Sequence, residues 1–394
     1  MNSKIFLLFI LISAIFYWVL NPFYKSEAEK VESLQKVETV EIDSLISVSF
    51  SAVGDIMCHS TQYNYAWVEN DSFDFNPVFS VVRNYLREKD ILIGNLETVL
   101  AGNTKKYSGY PFFNSPNELA SAIKNAGFDF LTLANNHASD QGLAGIERTI
   151  DVLKKVNIIP LGANISDSSD NSNIFVRNGL RFGMLSYTYG TNYNANFSNP
   201  RKFINHIDTV KIKNDIAKLK SKNADLIIVL FHFGEQYQKK INSYQKNIVD
   251  KTKSYGADII IGAHPHIIQK FEKFKTVDAN LDSGFVVYSL GNFVSNQRWR
   301  YSDGGIIFNF EITKNIFTDS VYVSDINYLP IWVFKGTTEK GKEFIVLPSE
   351  NFDSTNTYDF MTEADIDSMK RSYFDSIEQL TSESQIPKID HLIK

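Results

Sequence analysis

The sequence predicts a two-sheet α/β sandwich flanked by helices, on three observations. First, one local pattern recurs at Asp90 to Glu97, Asp129 to His137, Asp225 to His232 and Asp258 to His266. Each time an Asp leads into an apolar run of strand length, and a group able to bind a metal stands just past the run. Second, helical spacing precedes these runs, giving the β-α-β rhythm that covers a sheet with helices. Third, the chain after His266 turns to β patterning, which suits a second sheet better than a single doubly wound one.

Taken in order, the chain opens on an apolar run, Ile5 to Leu20, preceded by Lys4 and followed by Asn21-Pro22. A span needs about 17–25 residues, and Phe23 and Tyr24 lengthen this one into the interface. Residues 1–24 read as a transmembrane signal anchor, with a cleaved signal peptide as the alternative. Lys4 and the free amine hold the terminus in the cytoplasm. The expectation is a single-pass protein of the cell membrane whose catalytic domain lies on the extracytoplasmic side. Residues 25–46 mix Lys, Glu, Ser and Val and read as a linker. The main domain is expected at 47–335 and a C-terminal extension at 336–394, with a charged helix from Thr362 to about Ser382 and a tail.

Within the domain, Val48 to Val53 is a strand ending in Gly54-Asp55, and Asn76 to Glu88 has helical spacing. Ile91 to Gly94 is the next strand, leading to Asn95-Leu96-Glu97. Thr104 to Pro116, with its prolines and aromatics, reads as a loop over the site. Asn117 to Asn125 is a short helix ended by Gly127. Phe130 to Leu133 is a strand leading to Asn135, Asn136 and His137, and Gly142 to Val156 an amphipathic helix. Ile174 to Arg177 and Leu180 to Ser186 form a hairpin about Asn178-Gly179. Helices at Asp208–Lys220 and Ser243–Tyr255 precede the strands leading to His232 and to His264-Pro265-His266. Further strands are expected at Gly284–Ser289, Ile306–Phe310, Ser320–Val323 and Ile326–Phe334.

With 394 residues, 43% hydrophobic and 22% charged, the chain can bury a large core. A net charge of -5 without a basic cluster excludes nucleic acid as an expected partner. The single cysteine, Cys58, excludes an intrachain disulfide framework and reads as a buried filler. Strand ends bearing Asp, Glu, Asn-His, His and His-x-His converge on a metal centre unless the topology scatters them. Pro265 fixes its own φ and biases His264 towards an extended backbone, so the two imidazoles are held stiffly. Taken alone, that stretch reads equally as a loop with two surface histidines. Asn292 reads as orienting a substrate or a ligand, or as a turn residue beside Gly291. Arg298 and Arg300, flanking Trp299, would grip an anionic chain or form surface salt bridges. His206 and His391 read as surface residues.

Gly54-Asp55, Asn95-Leu96-Glu97, Asn135-Asn136-His137 with Asp140 and Gly142, His232-Phe233-Gly234 with Tyr237, His264-Pro265-His266 with Gln269, and Ser289 to Phe293 occur in that order. Together they resemble the capsule synthesis protein CapA family over roughly residues 48 to 310. The resemblance implies a calcineurin-like metallophosphoesterase fold and a role in making, anchoring or exporting poly-γ-glutamate or a related anionic envelope polymer, with synthase or export subunits as partners. Carried over residue by residue, it implies Asp55, Glu97, Asn136, His232, His264 and His266 as ligands of one or two divalent transition metal ions (Mn, Fe or Zn). Glu97 would bridge the ions. It implies His137 as the acid that protonates a leaving group, with Asp140 either holding its ring or capping the helix that follows. Two positions depart from the pattern. Met57 stands where active metallophosphoesterases carry a histidine ligand, and Gln236 where the family more often has an acid. Two functions follow as expectations: a metal-dependent, phosphoesterase-like hydrolase of the envelope, or a non-catalytic accessory subunit that binds or exports an anionic polymer.

Overall fold

The computed structural model describes residues 44–381, apart from 71, 166–171, 195, 196, 198, 278 and 353–357. The anchor expected at 1–24, the linker up to residue 43 and the tail with His391 lie outside the described residues. Among those described, no helix is long and apolar enough to cross a membrane.

Four apolar runs form parallel neighbours: β1 (Leu45–Ile56), β2 (Ile91–Leu96), β3 (Phe130–Thr132) and β4 (Ile159–Leu161). The hairpin strands β5 (Ile174–Arg177) and β6 (Leu180–Thr188) pair antiparallel about Asn178-Gly179. Strands β7 (Leu226–His232), β8 (Ile259–Ala263) and β10 (Ser283–Leu290) continue parallel to β6, and β9 (Ile268–Lys275) returns antiparallel along β10. The short β11 (Asn292–Val294) runs beside the end of β1, and β12 (Gly304–Asn315), β13 (Val321–Thr338) and β14 (Gly341–Pro348) are antiparallel. One sheet has the order β14-β13-β12-β1-β2-β3-β4 with β11 on β1, and the other β5-β6-β7-β8-β10-β9.

The sheets meet face to face. Val48, Phe50, Ile91 and Phe130 of the first share a core with Leu226, Ile228, Ile259 and Ile261 of the second. The helices α1 (Ser60–Ala66), α2 (Asn76–Phe79), α3 (Arg83–Arg87), α4 (Glu118–Ala126) and α5 (Gly142–Lys155) follow β1 to β3. Their apolar residues, among them Phe79, Leu86, Ile123 and Ile150, cover the outer face of the first sheet. The outer face of the second takes Ile212 and Ile216 of α6 (Thr209–Ser221) and Ile248 and Val249 of α7 (Ser243–Ser254). Strands covered on both faces read as continuous apolar runs, and Leu226 to His232 is buried throughout. Asp208 caps α6 by accepting from the amides of Val210 and Lys211, and Asn242 with Gln245 forms a capping box on α7.

Five expectations are corrected. The helix expected at Asn76–Glu88 is two short helices separated at Ser80 to Val82. Strands β9 and β14 complete sheet edges that the sequence reading left out. The two strands expected between Ser320 and Phe334 are one, β13, with a register shift opposite Glu311 and Ile312 where Ser324-Asp325 breaks the apolar pattern. The domain boundary expected at 335 falls inside β13; β14 pairs along it from Thr338 to Ile331, so the sheet runs on to Pro348. Finally, His264 is not extended: its φ is 101°, and that of His266 is 60°. Non-glycine residues at such angles store strain that the surroundings must hold in place.

Because β1, β2, β3, β7, β8 and β10 run the same way across the two packed sheets, their carboxyl ends collect at one end of the sandwich. Close backbone approach tightens that end. A Cβ on Gly54 would sit 1.8 Å from the carbonyl oxygen of Gly291, and one on Gly262 2.0 Å from that of Tyr288. Only glycine lets β1 approach the chain around Gly291 closely enough for the Asp55 amide to donate to Gly291 at 3.0 Å.

Candidate metal centre

Asp55, Glu97, Asn136, His232, His264 and His266, read from five strand ends, come together and are all buried. Two groups of ligating atoms lie within 4.8 Å of one another: Glu97 with His232 and His264, and Asp55 with Glu97 and His266. Glu97 belongs to both. His232 Nε2 is 2.8 Å from Asn136 Oδ1, 3.1 Å from His264 Nδ1 and 3.6 Å from a Glu97 oxygen. Ligands at about 2.0–2.2 Å from a common ion stand roughly 3–3.6 Å apart, so this crowding has the dimensions of a coordination shell. The donor set, imidazole with carboxylate, suits Mn, Fe or Zn.

Glu97 supplies the test of fit. Its side chain is 0% exposed, yet neither carboxylate oxygen has a hydrogen-bond partner among the described residues. Burial first, then Asp55 and Asp140, push its carboxyl well above the usual range. A buried carboxylate with nothing to accept from is costly, and a cation shared by the two groups relieves that cost. The imidazoles fit the same reading. Burial, followed by the charges of neighbouring histidines, pulls His232 well below its ordinary value and His264 down to about 3. Both therefore stay neutral, as ligation requires.

Outer partners orient the donors. Asn95 Nδ2 donates to Asp55 Oδ1 at 2.7 Å and lies 3.2 Å from His232 Nδ1, while its oxygen accepts from Thr132 at 2.7 Å. His266 Nδ1 faces two acceptors, Asp55 Oδ2 at 2.9 Å and Asn292 Oδ1 at 3.1 Å. Its proton therefore sits on Nδ1, and the Nε2 lone pair is left on the side of Glu97, 3.8 Å away. The Asn292 amide nitrogen donates to Gln297 and to the Ser302 carbonyl. Asn292 is thus held with its oxygen against the His266 ring.

His137 and Asp140 form a separate pair beside the donors. Nδ1 and the carboxylate are 2.7 Å apart, Asp140 also accepts from the Phe113 amide at 2.8 Å, and the Phe113 ring packs edge-on against the imidazole. The loop expected at Thr104–Pro116 therefore does lie over this part of the site. Burial raises the Asp140 carboxyl although His137 opposes the rise. Asn192, unnoticed in the sequence because no motif surrounds it, brings its amide within 3.2 Å of His137 Nδ1.

Other residues go elsewhere. Arg300 makes a two-fold pair with Asp375 of α8 (Glu363–Thr381), at 2.8 and 2.7 Å. Arg298 donates to the Val333 carbonyl and stacks over Trp332. Neither guanidinium is turned to the donors. Met57 is buried, its sulfur accepting from Ser295, and His59 Nδ1 is held near Gln62 Oε1 at 3.2 Å. His59 belongs to neither group of donors. Cys58 is buried, its thiol pushed up to about 12. His206 is buried rather than on the surface, with Nδ1 on the Ile204 carbonyl. A groove of about 450 Å³ lined by Lys273, Phe285, Tyr322 and Asp325 lies at the opposite end of β10 and carries no comparable donor cluster.

This chain is similar to several known proteins. The profile of the family described as bacterial capsule synthesis protein PGA_cap matches residues 49–297. The capsule biosynthesis protein CapA of Bacillus anthracis is 31% identical over 296 residues, 73% of this chain and 68% of that protein. The PGA biosynthesis protein CapA of Bacillus subtilis (strain 168) is 28% identical over 293 residues, 71% of each. Among solved structures, the calcineurin-like phosphoesterase YfkN from Bacillus subtilis aligns over 85% of this chain and 98% of that one, at 15% identity and a TM-score of 0.43. The matched span holds all six donors and the His137–Asp140 pair, and the chain belongs to the bacterial capsule synthesis protein family, PGA_cap.

Proposed function

We propose that this protein is a membrane-anchored, envelope-facing member of its family with a metal-dependent hydrolase site that cuts a phosphoester or a polymer-linked bond. The observation that carries the reading is Glu97: a fully buried carboxylate with no hydrogen-bond partner among the described residues, common to two groups of donors. Asp55, Glu97, Asn136, His232, His264 and His266 would hold one or two divalent transition metal ions. Bound there, such ions supply Lewis acidity and an activated water. The chain's own residues supply the rest. Asp140 accepts from His137 Nδ1 and fixes its tautomer, and no hydrogen bond among the described residues engages Nε2. His137 is thereby set to deliver a proton from Nε2 to a departing oxygen. Phe113, edge-on to that ring, limits water beside it. The proposed anchor at residues 1–24 would keep this chemistry outside the cytoplasm, next to synthase or export subunits.

One observation favours a second reading, the accessory subunit that binds an anionic polymer. Met57 leaves the Asp55 group without a further nitrogen donor, and thioether is a poor partner for these cations. Elemental analysis of the full chain decides between them together with turnover of bis(p-nitrophenyl) phosphate. The hydrolase reading expects transition metal in the native protein, background metal in Glu97→Gln, and turnover that disappears with it. Absence of metal from the native protein would overturn the metal site; metal without turnover of that or any phosphoester tried would favour the accessory role.

A further inference from the structure

Large aromatic rings stand in solvent around the donors. Tyr110 is 74% exposed, Trp299 51%, Tyr189 41% and Tyr237 40%. Each addresses the centre. The Tyr110 ring lies 6.4 Å from that of His137, Tyr189 4.6 Å from His264, and Tyr237 5.8 Å from His266, while Trp299 meets Tyr237 edge-on at 5.2 Å. Burying such rings is favourable, so core packing does not account for their exposure at this mouth. A ligand that covers them does.

The polar groups between the rings are mostly neutral. The Asn192 amide lies beside His137, Gln236 Nε2 is 3.4 Å from His266 Nε2, and Gln297 donates to the Tyr237 hydroxyl at 3.1 Å. Most cations nearest in the chain are already engaged. Arg300 is paired with Asp375, Arg298 with the Val333 carbonyl, Lys335 with Asn296, and Lys239 sits 3.5 Å over the Tyr301 ring. Lys105 on the loop before Tyr110 donates to the Gln141 carbonyl, which leaves Lys106 on that loop and Lys240 after Tyr237, both exposed. A polyanion needs a file of free charge-assisted donors, and two lysines do not make one.

We propose, building on the hydrolase reading above, that this mouth holds a neutral glycan strand. A pyranose ring is apolar on its C–H face and hydroxylated at its edge, which matches half-exposed Tyr and Trp rings set among amides. One sugar lies on Trp299 and Tyr237, and another on Tyr110, which belongs to a different loop. Asn192 and Gln236 take hydroxyls between them, and the bond to be cut rests over the donors. Rings on separate loops favour a chain over a single stacked base.

Calorimetric titration of the metal-restored full chain tests this, using hexasaccharides of β-1,4-linked N-acetylglucosamine and of β-1,4-linked glucose, with poly-γ-glutamate and AMP as competitors. Saturable binding of at least one hexasaccharide is expected, unchanged between low and high salt. Trp299→Ala or Tyr110→Ala should weaken it about tenfold with bound metal unchanged, and Trp299→Phe should recover most of it. Binding of neither hexasaccharide, binding of poly-γ-glutamate or AMP alone, or indifference to Trp299→Ala would each overturn the proposal. Metal content is measured on the same samples, so failure of the metal site and failure of the glycan mouth are read separately.

Discussion

The donors gathered around Glu97 and the pair beside them divide the work between holding and proton delivery. His137→Ala should lower phosphodiester turnover by about a hundredfold to ten-thousandfold and leave metal content intact. Asp140→Asn should cost less and move the pH profile, because the imidazole keeps its place while losing its charged partner. Equal turnover in native and His137→Ala proteins would remove the residue from the mechanism. The donors were legible because each stands directly after an apolar strand. Asn292, Arg298 and Arg300 were less so: whether an amide or a guanidinium faces a ligand depends on what packs beside it. Asp375, far along the chain, decides the matter for Arg300. Asn95 was in a visible motif without a visible role, and Tyr189 and Asn192 had no signal at all.

Strands and their spacing decide how those residues meet. The runs ending at Glu97, His232 and His266 were readable as buried strands, since parallel strands covered on both faces leave no polar alternation. β14 and β9 were missed because edge strands show half-polar patterns that a loop shares. The other ends of the strands carry a separate property. Burial lifts the Asp258 carboxyl, at the start of β8, to about 7, although the Ile227 and Leu281 amides donate to it. Its folded value thus lies above the unfolded one of roughly 4, and the native state holds the extra proton between them. This stabilising contribution is full below about pH 4 and is lost as pH rises towards 7. Asp258→Asn should flatten that decline in melting temperature between about pH 4.5 and 7.5; parallel curves for both proteins would refute the assignment. Gly54→Ala, which forces a methyl against the Gly291 carbonyl, should destabilise by about 1–3 kcal/mol or more, read as a fall in denaturation midpoint, and should loosen Asp55.

Over the whole molecule, the sheet does not stop where the sequence pattern suggested. Val346 and Leu347 of β14 are buried, and β13 pairs with it through Thr338. A chain ended at Lys335 should lose cooperative melting, because Trp332 and Phe334 would lie uncovered, while one ended at Thr381 should keep it. A cooperative, unshifted melt of the shorter chain would show that β14 is dispensable. By itself, the sequence determined the fold class, the parallel strands and the donors at their ends, because hydrophobic period and turn chemistry are local properties written into adjacent residues. Only the tertiary structure decided that five strand ends bring six donors together, that Glu97 stands between two groups of donors with no hydrogen-bond partner among the described residues, and that the arginines turn away while aromatic rings line the mouth. Those outcomes depend on strand order, on sheet against sheet and on partners hundreds of residues apart, and no local pattern encodes such distances.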